Sequence, residues 1–299
     1  MNILSQLNIS NESCLRALVL YLSFFISTIS HASSPPSTIA LSWTTAETLV
    51  AIGAPPIGMS MRDNYQKWGS IRSLPEDTVE VGISFQPNLE LITSMHPDII
   101  VSDSVFAVSD EQLSDTYNTH RFTIYQEDVD RWNELKDFTR KLSSTIMLPD
   151  SGEVYIADLE DKIEHLKNRI TEWNEPLLII RALDLNHVRV YGQNSLVQAV
   201  LDQLGLSNAW QEPTNQKGFS IVGVEALIGI DARLVIVEGP QLSGNIATQL
   251  SDRGLWQYVP SIRENNLLTV PPFWVFGALP SAYQFSTSLV EALEDSTSN

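Results

Sequence analysis

The sequence predicts an α/β protein made of two similar α/β lobes joined by one long connecting helix, with a ligand cleft between the lobes. Three observations predict it: a turn–helix–strand unit that occurs twice, an amphipathic helix standing between the copies, and a length of 299 residues, room for about two domains. The repeated unit is Gly82 to Val101 (GISFQPNLELITSMHPDIIV) and Val222 to Val237 (VGVEALIGIDARLVIV). Laid without a gap from Glu90 on Glu225, the pairs Ile92/Leu227, Met95/Ile230, Ile99/Leu234, Ile100/Val235 and Val101/Ile236 are apolar on both sides. Similar lobes far apart in sequence place a binding cleft between them.

Taken in order, residues 1–32 read as a signal peptide. Arg16 precedes the apolar run Ala17 to Ile29, too short for a comfortable membrane span, and Ser30-His31-Ala32 supplies the small residues of a cleavage site. Cleavage near Ala32 delivers the chain to the periplasm. An uncleaved anchor is the alternative, because Arg16 is the only basic side chain of the leader and Glu12 offsets it. Cys14 comes before the apolar run, so it is not a lipoprotein cysteine, and its removal leaves no disulfide.

Residues 33–149 form the expected N-terminal lobe. Thr38 to Trp43 reads as a strand and Thr45 to Ile52 as a helix, with Thr44 as N-cap and Gly53 as stop. The connecting helix falls within 150–175, where Ile156, Leu159, Ile163, Leu166, Ile170 and Trp173 share one face and charged residues hold the rest. At about 1.5 Å per residue it spans about 33 Å. A single helical connector resists bending, which predicts modest lobe movement. Residues 176–299 form the C-terminal lobe: Val188 to Tyr191 is a strand, Asn194 caps a helix ended by Gly205, and Pro280 opens a last helix whose apolar face is Phe285, Leu289 and Leu293.

The formal charge is −18, and removing the leader takes one acid and one base and leaves it there. Such an excess argues against nucleic acid and anionic membrane surfaces as partners. No nucleophile elbow, phosphate loop, dinucleotide fingerprint or zinc-protease motif occurs, so catalysis is not expected. His96, His120, His165 and His187 are scattered, which gives no metal site. Aromatic residues remain: Trp43, Trp68 in an expected long loop Arg62 to Asp77, Trp210 and Trp274. Singly each reads as core; together, at the ends of elements, they read as the lining of a cleft.

Leu41-Ser42-Trp43, Asn64-Tyr65 with Trp68, Val81-Gly82 with Pro87-Asn88-Leu89-Glu90-Leu91, Gly192 with Asn194-Ser195-Leu196, Asn208-Ala209-Trp210-Gln211 with Thr214-Asn215, and Val270-Pro271 with Trp274 and Gly277 resemble the periplasmic binding proteins for ferric hydroxamate siderophores. The resemblance covers nearly the whole mature chain. It implies a helix-linked, monomeric protein that holds an iron(III)–siderophore in a shallow aromatic cleft and delivers it to an inner-membrane ABC importer. Iron is bound only through the siderophore, and no cofactor is implied. Haem or cobalamin is the alternative cargo of the same fold, and an exported siderophore-modifying enzyme is a second alternative.

Transferred residue by residue, the resemblance puts Ser84 where the family has a hydroxamate-binding arginine, Phe106 where it has a ligand-contacting tyrosine and Ser102 where it has a tryptophan. In the second lobe Lys217 takes a tryptophan position and Phe219 a serine position. Arg181 and Arg189 align with cleft positions that are not basic in the family. With Lys217 they suit a negatively charged siderophore, of citrate-hydroxamate or catecholate type, since arginine grips carboxylate or catecholate oxygen with two hydrogen bonds. The competing reading pairs Arg181 and Arg189 with Asp184 and other local acids. The resemblance also implies Glu111 and Glu225 as the acidic handles that dock on the permease.

Overall fold

The computed structural model of the protein describes residues 35–68, 74–105, 113–239, 249–250 and 253–297, without the side chains at 66–68. The expected leader and its cleavage point at Ala32 lie outside the described residues.

The first lobe carries a five-stranded parallel sheet. β1 (Thr38–Ala40), α1 (Trp43–Ala51), β2 (Gly58–Met59), α2 (Arg62–Trp68) and β3 (Val79–Glu80) come first. A small hairpin, β4 (Gly82–Ile83) with β5 (Gln86–Pro87), then leads through α3 (Leu89–Met95) to β6 (Ile99–Asp103) and β7 (Thr119–Phe122). The order is β3-β2-β1-β6-β7. β6, with the sequence IIVSD, is buried throughout, as a central parallel strand covered on both faces must be. Ser42 rather than Thr44 caps α1: its backbone is extended and its Oγ accepts the Thr45 N–H at 3.1 Å. Trp43 therefore opens the helix instead of ending the strand. Trp68 likewise ends a helix, where a loop was expected.

Helices α4 (Arg131–Thr145) and α5 (Pro149–Arg169) follow. α5 is the expected connector, displaced toward its start. Pro149 sits in the first turn, where a missing N–H costs nothing, and regular helix ends at Arg169, short of Trp173. Ile156, Leu159, Ile163 and Leu166 are buried along its stripe. Asp150 in the first turn and Lys167 and Arg169 in the last complement the helix dipole.

The second lobe contains β8 (Leu177–Ala182), β9 (His187–Tyr191), α6 (Leu196–Leu204), β10 (Phe219–Gly223), a 3₁₀ turn at Val224–Leu227, β11 (Arg233–Val237), β12 (Leu267–Val270) and α7 (Leu279–Thr297). Its sheet runs β10-β9-β8-β11-β12; β8, β11 and β12 are parallel, while β9 and β10 are antiparallel to their neighbours. β6 and β11, the strands of the repeated unit, both lie between two parallel neighbours. The helical part is unequal, α3 in the first copy and a single 3₁₀ turn in the second. Asn194 has a left-handed backbone (φ 65°), which disqualifies it as N-cap, and Ser195 caps α6 through the Gln198 N–H at 2.9 Å. Gly205 ends α6 in the left-handed conformation, as expected.

One continuous core joins the lobes. It contains Trp43 and Leu49 of α1, Leu135 and Phe138 of α4, Leu159 and Ile163 of α5, Ile179 and Val235 of the second sheet, Val200 of α6, and Phe285 and Leu289 of α7. Alternate strand residues face away from this layer: Ile180, Val190 and Ile236 behind the second sheet, Ile39, Leu41 and Ile100 behind the first. Among the described residues no helix is long and apolar enough to cross a membrane.

Candidate functional site

The carboxyl ends of β1, β6, β8 and β12 carry the expected site residues and meet between the lobes, where open α/β sheets bind ligands. The floor is an aromatic seam. Trp43 packs edge-on against Trp274 with ring centroids 4.7 Å apart and against Tyr65 at 5.4 Å, and Phe276 lies edge-on to Trp274 at 5.3 Å. Trp43 Nε1 donates to the carbonyls of Ser60 and Met61, each at 3.2 Å. Trp274 Nε1 donates to Thr44 Oγ1, which in turn donates to the Phe276 carbonyl, both at 3.1 Å. Trp43 is 7% and Trp274 9% exposed, so these rings seal the bottom of the cleft rather than stand open along it.

The second lobe supplies a charged wall. Arg181 and Arg189 are register partners across β8 and β9, and Arg189 is in turn opposite Ile221 of β10. The Arg189 guanidinium lies 4.5 Å from the Phe219 ring and 5.5 Å from that of Phe276, and its buried Nε has no hydrogen-bond partner among the described residues. Arg181 is buried and donates to the Phe273 carbonyl at 3.3 Å. Burial, with the Arg189 charge adding to it, pulls its pKa below the ordinary arginine value. Lys217 reaches across to the first lobe, its Nζ 3.1 Å from the Val105 carbonyl and 5.5 Å from the Phe276 ring. Gly218 fixes this arm: its φ is 77°, and a Cβ there would stand 2.0 Å from Ser195 N. Asp184 is engaged elsewhere, accepting the Asn186 and His187 N–H groups and pairing with His187 Nδ1 at 3.0 Å.

Not every expected residue joins this wall. Trp210 is 5% exposed and belongs to the core behind the second sheet, with Ile180 and Val190, on the face opposite Arg181. Ser84 is buried, its Oγ 3.9 Å from Met61 Sδ, while its neighbour Phe85 is 61% exposed at the tip of the β4–β5 hairpin. Ser102 is buried on β6. Glu225 is exposed in the 3₁₀ turn at Val224–Leu227. The Trp68 side chain, Phe106 and Glu111 lie outside the described residues. A cavity of about 250 Å³ opens between α4 and α6 near Arg131, Asn194 and Gln198, and none of the expected ligand contacts lines it. Among the described residues no cluster of His, Cys, Asp or Glu could hold a metal ion.

Sequence reasoning missed Glu47. It is 0% exposed on α1, and burial pushes its carboxyl up to about 8 despite hydrogen bonds from Ala278, Ser281 and Tyr65. The signal was available: Glu47 is the only Asp, Glu, Lys or Arg between Arg16 and Arg62. Tyr125 was missed too; its buried hydroxyl donates to the Gly277 carbonyl at 2.8 Å, and burial raises its pKa well above the ordinary tyrosine value.

Residues 39–272 match the model of a family described as periplasmic binding protein. The iron(3+)-hydroxamate-binding protein FhuD of Escherichia coli (strain K12) is 31% identical over 288 residues, 95% of this chain and 97% of that one. A probable siderophore-binding lipoprotein, YfiY, of Bacillus subtilis (strain 168) is 23% identical over 78% of this chain and 74% of its own length. The structure of the siderophore-binding protein FhuD from Vibrio cholerae with Fe3+–Desferal superposes with a TM-score of 0.79 at 20% identity, covering 87% of this chain and 98% of that one.

Proposed function

The chain belongs to the periplasmic binding protein family, and from that premise we propose that it captures an iron(III)–siderophore between its lobes and delivers it to an ABC importer of the inner membrane. The siderophore is of hydroxamate or mixed citrate-hydroxamate type and carries negative charge. Export follows cleavage near Ala32, the lobes are 33–149 and 176–299 with 150–175 connecting them, and Glu111 and Glu225 dock on the permease.

One observation carries the ligand class: the wall formed by Arg189, Phe219, Phe276 and Lys217, with Arg181 beside it. Two guanidinium groups side by side repel each other, and Asp184 pairs with His187. An anion bridging the cations removes that repulsion, and arginine's planar fork matches a carboxylate. The rings of Phe219 and Phe276 offer apolar faces to the siderophore's carbon skeleton. Iron arrives fully wrapped by its chelator's oxygens, so the protein recognises the outer surface of the complex. Lys217, already hydrogen-bonded to the opposite lobe, draws the walls together over it.

Tryptophan-fluorescence titration with three iron(III) complexes tests the reading: a citrate-hydroxamate, a catecholate and a neutral trihydroxamate. Tight binding of the citrate-hydroxamate is expected. Tight binding of the neutral complex alone removes the anionic assignment, and binding of none removes the siderophore reading.

A further inference from the structure

Glu47 sits where α1 of the first lobe meets the start of α7. Its Oε1 accepts the Ala278 N–H at 3.0 Å, and Ser281 Oγ stands 2.8 Å from both Oε1 and Oε2. Tyr65 of α2 approaches Oε2 at 3.4 Å. Gly277 makes room, since a Cβ there would stand 2.4 Å from Oε1. The carboxyl thus caps the N-terminus of a helix in the other half of the molecule, immediately after the turn that carries Trp274 and Phe276. Ser281 has one hydroxyl hydrogen. A carboxylate would have to share that hydrogen between its two oxygens, whereas an acid that keeps a proton on Oε2 donates it to Ser281 Oγ while Oε1 accepts, making two full bonds.

We propose that Glu47 is a positioning residue for ligand capture: it ties α1 to α7 and, with the Thr44 bonds to Trp274 and Phe276, holds these rings against Trp43 at the floor of the cleft. The surroundings favour the neutral acid. Asp103 at the end of β6 adds a like charge; Tyr125 before α4 is buried and neutral, and Tyr155 of α5 is half-buried and neutral; Arg131 on α4 is paired with Glu134. The group's pKa is raised from 4.5 to about 8, so its contribution to the seam is fully present below about pH 4.5 and is lost as pH rises through about 8. Ionised, Glu47 keeps the bond donated by Ser281 Oγ, loses the one its own proton donated, and stands as a buried charge beside Asp103, which loosens the floor.

The inference rests on the siderophore reading only in its ligand arm. The test measures intrinsic tryptophan fluorescence of the ligand-free protein, and affinity for the iron(III) citrate-hydroxamate complex, from about pH 6 to about pH 9.5. Wild type is expected to change fluorescence with a midpoint near 8 and to lose affinity about tenfold across it. Glu47→Gln reproduces the neutral acid, its amide donating to Ser281 Oγ, and should bind as wild type at pH 6 with a flat profile in both readouts. Glu47→Ala should bind about tenfold more weakly at every pH. Identical pH profiles for wild type and Glu47→Gln overturn the proposal. Should Glu47→Ala fail to fold, the comparison of wild type with Gln decides alone; should no siderophore bind, the ligand-free fluorescence still decides.

Discussion

In the first lobe β1 reaches its parallel neighbour β2 through helix α1, whereas in the second β8 turns straight back through residues 183–186 into antiparallel β9. The consequence is chemical. A helical crossover leaves the cleft end of the first sheet to short loops and small buried side chains, Ser84 and Ser102. The hairpin instead brings strand interiors to the cleft, so that Arg181, Arg189 and Ile221 stand in one row across three strands. Duplicated lobes have come to divide the work: the first closes the floor through Trp43 and Glu47, and the second presents charge.

The largest expected effect tests whether the lobes are separable at all. Phe285 of α7 is fully buried, stacked on Phe273 at 4.6 Å, within the core that spans both lobes. Phe285→Ala should cost about 3–5 kcal/mol in denaturant unfolding. Both lobes should go in one transition, because they share that core. Two resolved transitions would break the picture of a shared core and leave the lobes as independent domains.

Next come the two walls. Arg189→Ala should weaken binding of an anionic ferric siderophore by about 2 kcal/mol, roughly 30-fold, in calorimetric titration. Ser84→Ala in the first lobe should leave it unchanged. Equal losses from both substitutions would remove the asymmetry between the lobes. Lys217→Met is smaller, about 1 kcal/mol, because it forfeits one hydrogen bond to Val105 and one ring contact while keeping the length of the arm. Its loss should shrink as salt rises if the lysine meets an anion, and should be salt-independent if it serves only the contact between lobes.

Most of the architecture was legible because burial writes itself into the sequence. The run of β11, RLVIV, the stripe of α5 and the apolar face of α7 each carry the period of their element. Caps were misplaced by one or two positions, since Ser42 and Thr44, or Asn194 and Ser195, are all capping residue types. Only the backbone decides: Ser42 is extended, and Asn194 is left-handed. The antiparallel hairpin was missed although the few residues between Arg181 and Arg189 are too few for a parallel crossover. Among the expected site residues, Arg181, Arg189, Lys217, Phe219, Trp43 and Trp274 do gather between the lobes. Trp210 does not, because position at the end of an element does not reveal which face of the sheet a side chain takes. Glu47 was overlooked because a lone carboxylate on a helix ordinarily reads as solvated, and its meaning depends on Ser281, far away in sequence.

The smallest effect concerns motion. Helix α5 runs unbroken from Pro149 to Arg169, and it is not the only link. Tyr125 is tied to Gly277, Arg131 Nε to the Asn194 carbonyl at 2.9 Å, Glu47 to Ala278, Thr44 to Phe276 and Lys217 to Val105, so the two halves are bonded at several places besides the connector. Closing the cleft by a large hinge would break these bonds and open the shared core, each at the cost of leaving buried polar groups unpaired. Ligand binding should therefore change the radius of gyration by less than about 1 Å in small-angle scattering, as in preorganised complexes. A change of several ångströms would mean that the seam opens in the free protein. The floor would then be assembled by the ligand, and the division of work between a fixed first lobe and a recognising second lobe would hold only in the bound state.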